Sequence, residues 1–336
     1  LLPPARAAID LGHHEARHPA GFVVSGNRWL TAMAEKPASE QSRWTIPFAL
    51  FVAVLGVSSS APLVKLADAP APAVAAYRML FSALMLLPVV AWRHRAELAA
   101  MRRSDLLRCI AAGVLLGFHF LSWFSSLDYT TVASAVTLTT LQPLFAFVLA
   151  YAMFGERLRL KAFAGAALSI AGAMIIGWGD IAVSGMALFG DALALLGAAL
   201  ATGYFFVGFR ARQHLSLNAY TFLIYSAAAV VLFAYCLTLD VPLGGYAHSD
   251  WAVFVGLAIF PTLLGHSVFN WSMRWVSATV ISVVVLCEPI GASALAWLIF
   301  GTLPQISHYI GGTGVLVGVL IFMRYRNPPP SVSGAG

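Results

Sequence analysis

The chain has 336 residues, of which 60% are hydrophobic and only 10% carry charge, whereas an ordinary soluble domain carries about 25% charged residues. So apolar a chain has nothing to present to water over most of its surface, which makes lipid the solvent and excludes a soluble enzyme. Its formal charge of +6 is dispersed in short runs between apolar stretches, not gathered into the patch or arm that nucleic-acid binding requires.

Residues 1–42 differ in kind from the rest. Pro3-Pro4, His13-His14, His18 and several charges break up any apolar run, so the segment reads as a disordered cytoplasmic tail or an added extension. It lacks the apolar core of about 7–15 residues that a secretory signal needs. Met33, just before Ala34-Glu35-Lys36, is a candidate natural start.

Crossing a hydrocarbon core of about 30 Å takes about 20 mostly apolar residues. Such stretches run at 44–66, 71–92, 107–127, 131–153, 160–178, 186–208, 218–239, 251–273, 277–300 and 305–323. The expected fold is therefore all-α and integral to the membrane, with ten transmembrane helices and a second disordered tail at 327–336. With the N-terminus inside, the inner loops receive Arg43, Arg93, Arg95, Arg102, Arg103, Arg108, Arg157, Arg159, Lys161, Arg210, Arg212, Arg274, Arg324 and Arg326. The outer side receives Lys65 beside Asp68, Asp128, Asp180, Asp240 and Asp250. Orientation follows this Lys/Arg bias, so both termini are expected in the cytoplasm of a bacterial cell, with the chain in its inner membrane.

The sequence also repeats. An offset of 146 residues lays 126–172 on 272–318 without a gap. Pro143 meets Pro289, Phe154-Gly155 meet Phe300-Gly301, Gly165 meets Gly311 and Gly172 meets Gly318. The expected units are 43–180 and 181–326, each holding five spans. An odd number of spans puts the second half into the membrane upside down. Inverted repeats enclosing a central cavity are a device of secondary transporters.

An ordered set of short motifs follows the same frame. It runs from Gly56-Val57-Ser58-Ser59-Ser60 through Lys65 to Tyr77-Arg78, then Leu127-Asp128-Tyr129, Gln142-Pro143 and Phe154-Gly155-Glu156. In the second half come Gly190-Asp191-Ala192-Leu193-Ala194-Leu195, Glu288-Pro289 and Phe300-Gly301. Over residues 44–325 the chain resembles the EamA-type permeases of the drug/metabolite transporter superfamily, amino-acid exporters among them. The resemblance implies two inverted five-helix repeats around a cavity, alternating access, and a small-molecule substrate such as an amino acid, an aromatic one included, or a related metabolite. It implies export rather than catalysis. One departure stands out: Glu156 follows the first Phe-Gly, but Thr302 follows the second.

An ionisable side chain at bilayer depth is costly unless paired or wet, which makes each one a candidate for function. Glu288 lies mid-span directly before Pro289, whose missing N–H loosens the preceding turn; it is a candidate proton carrier, or a hydrogen-bonded brace for the kink. Pro62 and Pro143 are the other expected helix breaks. Arg78, within span two, has three available roles: snorkelling, pairing, or holding a substrate carboxylate as a fork. His119 and Trp123 share a helix face at i,i+4, as do His266, Asn270 and Arg274. Together with Ser59, Tyr77, Gln142 and Trp271, these residues make up the expected transport pathway. Spans one to four and six to nine are expected to line it, leaving glycine-rich five and ten for packing or dimerisation. Monomer and homodimer both fit, as do proton antiport and uniport.

No catalytic set and no cofactor site emerges. Cys109, Cys236 and Cys287 lack metal-ligand spacing and read as small apolar packers, so no metal is expected. Gly177-Trp178-Gly179-Asp180 spells the G-x-G-D of intramembrane aspartyl proteases, but that chemistry needs a second carboxylate at the same depth, and none is placed there. A membrane-embedded enzyme and a non-transporting sensor stand as alternatives.

Overall fold

A computed structural model describes residues 40–178, 185–301, 303 and 306–326. Residues 1–39 of the tail read at 1–42, the tail at 327–336, the start at Met33, Gly179-Asp180 and Thr302 lie outside the described residues, while Glu40, Gln41 and Ser42 open the first helix. The chain divides into Leu1–Arg43 and Trp44–Gly336; of the first unit only the opening of α1 is described.

Every element among the described residues is a helix. In lipid each backbone N–H and C=O must find its partner within its own segment, which leaves helices as the form these apolar runs take. Helices α1 (Glu40–Ser58) and α2 (Ser60–Val64) make the first span, and α3 (Ala71–Val89) the second, which continues through a π-helical segment, Val90–His94, into α4 (Arg95–Ala99). Next come α5 (Arg103–Ser126), α6 (Val132–Thr139), α7 (Gln142–Phe154) and α8 (Leu160–Trp178). Helices α9 (Gly185–His214), α10 (Leu217–Thr238) and α11 (His248–Leu257) follow, the last passing through a π segment, Ala258–His266, into α12 (Ser267–Ser272). Helices α13 (Ala278–Val285), α14 (Glu288–Phe300) and α15 (Ile306–Tyr325) close the series.

Nine helical runs among the described residues are long and apolar enough to cross a membrane. The remaining expected stretch, the fifth, forms α8, whose apolar part Leu160–Ile176 is shorter. Three of the spans are interrupted. The first breaks at Ser59, the fourth at Thr140–Leu141 and the ninth at Leu286–Cys287, each two or three residues ahead of a proline that cannot donate to the preceding turn.

The element boundaries repeat at the spacing seen in the sequence. Adding 146 to the limits of α6 and α7 gives those of α13 and α14. The caps repeat too: Thr131 and Ser277 each accept from the main-chain N–H three residues on, and Gly155 and Gly301 end α7 and α14 at φ 63° and 69°. That left-handed conformation is open to glycine without strain.

Helices α8 and α15 pack on each other with their backbones almost touching. A Cβ at Gly172 would lie 2.5 Å from the Gly311 carbonyl oxygen, and one at Gly165 2.7 Å from that of Gly318. Gly172 thus meets the repeat mate of Gly165, and Gly165 meets the repeat mate of Gly172, which makes the pair antiparallel and self-complementary. Between them Ser169 Oγ donates to the Val315 carbonyl at 3.2 Å, and Val315 is its own mate, 146 residues on. Small residues permit this approach, which in lipid is a main source of helix association.

Arg212 departs from the expected loop position. It lies inside α9, 2% exposed, with Nε donating to the Asn270 carbonyl and Nη1 to that of Leu215, both at 2.9 Å. A guanidinium satisfied by main-chain carbonyls tolerates burial that a bare charge does not.

Candidate functional site

A polar chamber lies where the broken helices meet. The first half supplies Val57, Ser60, Arg78, His119, Trp123, Thr139 and Gln142, and the second half Phe205, His266, Phe269, Val285 and Glu288. Its volume is about 20 Å³, room for about one water, against about 300–1,000 Å³ for pockets that enclose a ligand. A metabolite-sized solute does not fit this space unless the surrounding helices move.

Three pairs of chamber residues are repeat mates: Trp123 with Phe269, Thr139 with Val285, and Gln142 with Glu288. The last pair occupies the first position of α7 and of α14, directly before Pro143 and Pro289. The two half-helices therefore begin at the chamber, one with an amide and one with a carboxyl. Ser58 Oγ donates to the Glu288 carbonyl oxygen at 3.2 Å, tying α1 to the start of α14. Thr202 Oγ1 donates to the Gln142 carbonyl oxygen, also at 3.2 Å, tying α9 to the start of α7.

Arg78 is fully buried, and its plane is fixed from three sides. Nε donates to Thr262 Oγ1 at 2.8 Å and Nη1 to Ser60 Oγ at 2.7 Å, while the guanidinium carbon stands 4.1 Å from the centre of the Phe120 ring, in cation–π range. Nη2 has no partner. The π segment explains the placement of Thr262. Pro261 has no N–H, so the Leu257 carbonyl loses its α-helical donor; the Thr262 hydroxyl donates to that carbonyl at 2.8 Å and accepts from Arg78. Widened turns of this kind are frequent at functional sites.

His119 Nδ1 lies 2.9 Å from the Gly197 carbonyl. A carbonyl only accepts, so Nδ1 carries the hydrogen. Its ring stacks near Trp123 at 14° and stands 6.4 Å, centre to centre, from His266. Four buried polar atoms of chamber residues have no partner: Arg78 Nη2, Trp123 Nε1, Gln142 Oε1 and His266 Nδ1. Buried polar groups are nearly always satisfied, so this concentration marks the chamber out.

The structure therefore gathers Arg78, His119, Trp123, Gln142, His266 and Glu288, while four expected pathway residues lie elsewhere. Ser59 turns its hydroxyl onto Gly56 O, 2.7 Å away in its own helix, because the break at this residue hands the chamber position to Ser60. Tyr77 bonds to the Leu243 carbonyl and stacks on Phe254 at 5.1 Å, inside an aromatic cluster with Phe81, Tyr246 and Trp251. Asn270 lies between helices, its Oδ1 accepting from Tyr204 at 2.8 Å and its buried Nδ2 without a partner. Trp271 pairs with Trp275, ring centres 4.3 Å apart. Span seven (α10) lends no side chain to the lining; it packs behind α5, where a Cβ at Gly113 would lie 2.6 Å from the Ile224 carbonyl. Sequence reasoning missed Val57, Ser60, Thr139, Phe205, Phe269 and Val285. The offset held a signal for one of them, since Phe269 is the mate of Trp123, an expected pathway residue.

Away from the chamber, two acidic side chains join the halves. Asp191 Oδ1 accepts from Thr130 Oγ1 and Ser134 Oγ, both at 2.7 Å. Glu156 Oε2 accepts from Thr279 Oγ1 at 3.1 Å. Burial pushes the Glu156 carboxyl above its ordinary range, and the Thr279 bond pulls the other way. A raised carboxyl contributes stability that is complete below its unfolded value and lost as pH climbs through its folded one. Glu156→Gln is therefore expected to flatten part of the fall in thermal stability as pH rises above the ordinary carboxylate range, measured by unfolding in detergent. An unchanged profile counts against this account.

Among the described residues no group of three His, Cys, Asp or Glu is assembled for a metal ion. These features define a multi-pass helical membrane protein whose two similar halves close over a buried, charged chamber. The chain belongs to the EamA-like transporter family, whose model matches it twice, at residues 44–178 and 188–324. It is 26% identical over 212 residues to an uncharacterized transporter of Archaeoglobus fulgidus, covering 62% of this chain and 74% of that one. It is 22% identical over 245 residues to the uncharacterized transporter YxxF of Bacillus subtilis, covering 70% and 75%. A crystal structure of another protein matches 82% of this chain and 96% of its own with a TM-score of 0.69 at 20% identity, a likeness of fold alone.

Proposed function

We propose that the protein is a secondary transporter that exports amino acids, aromatic ones included, or closely related metabolites across a bacterial inner membrane. It works without covalent chemistry, as ten helices in two inverted five-helix repeats, 43–180 and 181–326, that rock to expose one chamber to either side. The observation that carries this reading is the matched pair of broken helices. Gln142 and Glu288 start half-helices at the same chamber, as discontinuous helices do in transporters. The antiparallel, self-complementary contact of α8 with α15 supports the inversion, since it is the contact a two-fold axis in the membrane plane would generate. Glu288 is a carboxyl available to carry protons.

The test is flux into proteoliposomes of a panel of amino acids, with and without a pH gradient. Saturable flux that responds to the gradient is expected. Binding without flux would make the protein a sensor, and chemical change of the solute would make it an enzyme. Orientation is tested separately: reporters placed ahead of Trp44 and after Arg326 are expected to report the same cytoplasmic face. Reporters on opposite faces would overturn the even number of crossings.

A further inference from the structure

We propose that the chamber holds its solute by a carboxylate group, taken between Arg78 Nη2 and Trp123 Nε1. The proposal rests on the permease reading and assigns the recognising atoms. Two of the three Arg78 nitrogens are occupied by Thr262 and Ser60, and the Phe120 ring packs against the guanidinium. The protein thus fixes the group's orientation and leaves one nitrogen free. Trp123 is 3% exposed, lines the same chamber, and carries an N–H that can only donate. Both donors are buried without an acceptor. A ligand that satisfies them must bring acceptor atoms, and the fixed positive charge selects an anion. One guanidinium nitrogen and one indole N–H offer two donors to the chamber, and the two oxygens of a carboxylate can take both. Gln142 Oε1, an acceptor without a donor, and Glu288 are left to receive an ammonium group on the same solute.

The experiment uses the full chain in lipid nanodiscs, with L-phenylalanine, L-leucine and L-threonine each paired with its amide. Thermal stabilisation is read as a function of concentration. At least one acid is expected to stabilise the protein at concentrations about tenfold lower than its amide, the size of a lost charge-assisted hydrogen bond. Trp123→Phe keeps an aromatic ring beside His119 and is expected to narrow that gap by weakening the acid alone. Arg78→Lys, which keeps the charge and loses the oriented fork, is expected to do the same. Acid and amide acting equally on the unaltered protein would overturn the proposal, as would an acid–amide gap untouched by Trp123→Phe or no stabilisation by any acid. Flux measured in parallel separates the two readings: flux with equal response to acid and amide leaves the permease standing and removes the carboxylate site.

Discussion

Gly172→Leu is expected to abolish the recovery of folded, monodisperse protein, and Gly172→Ala to lower its thermal stability measurably. At this position α8 and α15 are in backbone contact: an added Cβ would lie 2.5 Å from Gly311 O and 2.6 Å from Val315 N. Main chain cannot step aside as a flexible side chain can, so the helices must part along their length. Overpacking of a well-fitted contact costs about 1–3 kcal/mol for a few atoms, a large share of the roughly 5–15 kcal/mol that holds a domain folded, and leucine adds three carbons more. Separation would also lengthen the Ser169–Val315 bond at the centre of the contact. Gly185→Ala is the control, because a Cβ there meets nothing within 4 Å. Normal recovery and melting of Gly172→Leu would show that this contact does not hold the halves together.

Glu288→Gln is expected to fold normally and to lose transport. The repeat supplies the reason for normal folding: Gln142 already begins α7 directly before Pro143, so an amide is tolerated at the start of a half-helix of this form. Ser58 binds the main-chain oxygen of Glu288 and not its side chain, so that tie survives the change. What is removed is the titratable carboxyl of a chamber that also holds Arg78. Glu288 is the acidic side chain that lines the chamber, so its loss removes the candidate proton carrier and predicts loss of most of the flux. Any response of flux to a pH gradient is expected to vanish with it. Undiminished flux in proteoliposomes, at equal protein content, would remove Glu288 from the mechanism.

Much of the architecture was legible in the residues. The run of apolar stretches requires helices in lipid, and the offset that matched Pro143 with Pro289 and the glycines of the fifth and tenth spans reappears as matched helix limits and a matched contact. The site was less legible. Helical periodicity puts Asn270 on the face of His266 and groups Ser59 with its neighbouring serines, but it assumes an unbroken α-helix. The break at Ser59 hands the chamber position to Ser60. The π segment ending at His266 changes the turn that sets which faces look inward, and Asn270 is taken up by Tyr204. Tyr77 read as a pathway residue because an aromatic side chain gives no sign of which aromatic neighbours will claim it.

Sequence alone determined that the chain lives in lipid, that it is helical and that it repeats, because solvent and covalent connectivity dictate those properties segment by segment. The tertiary structure decided which polar groups share a chamber and which are spent between helices. Arg78 and Arg212 are both buried arginines, yet one lines the chamber with a nitrogen left without a partner while the other is bound to main-chain carbonyls. Their difference lies in partners contributed by distant helices, and no local pattern of residues encodes that.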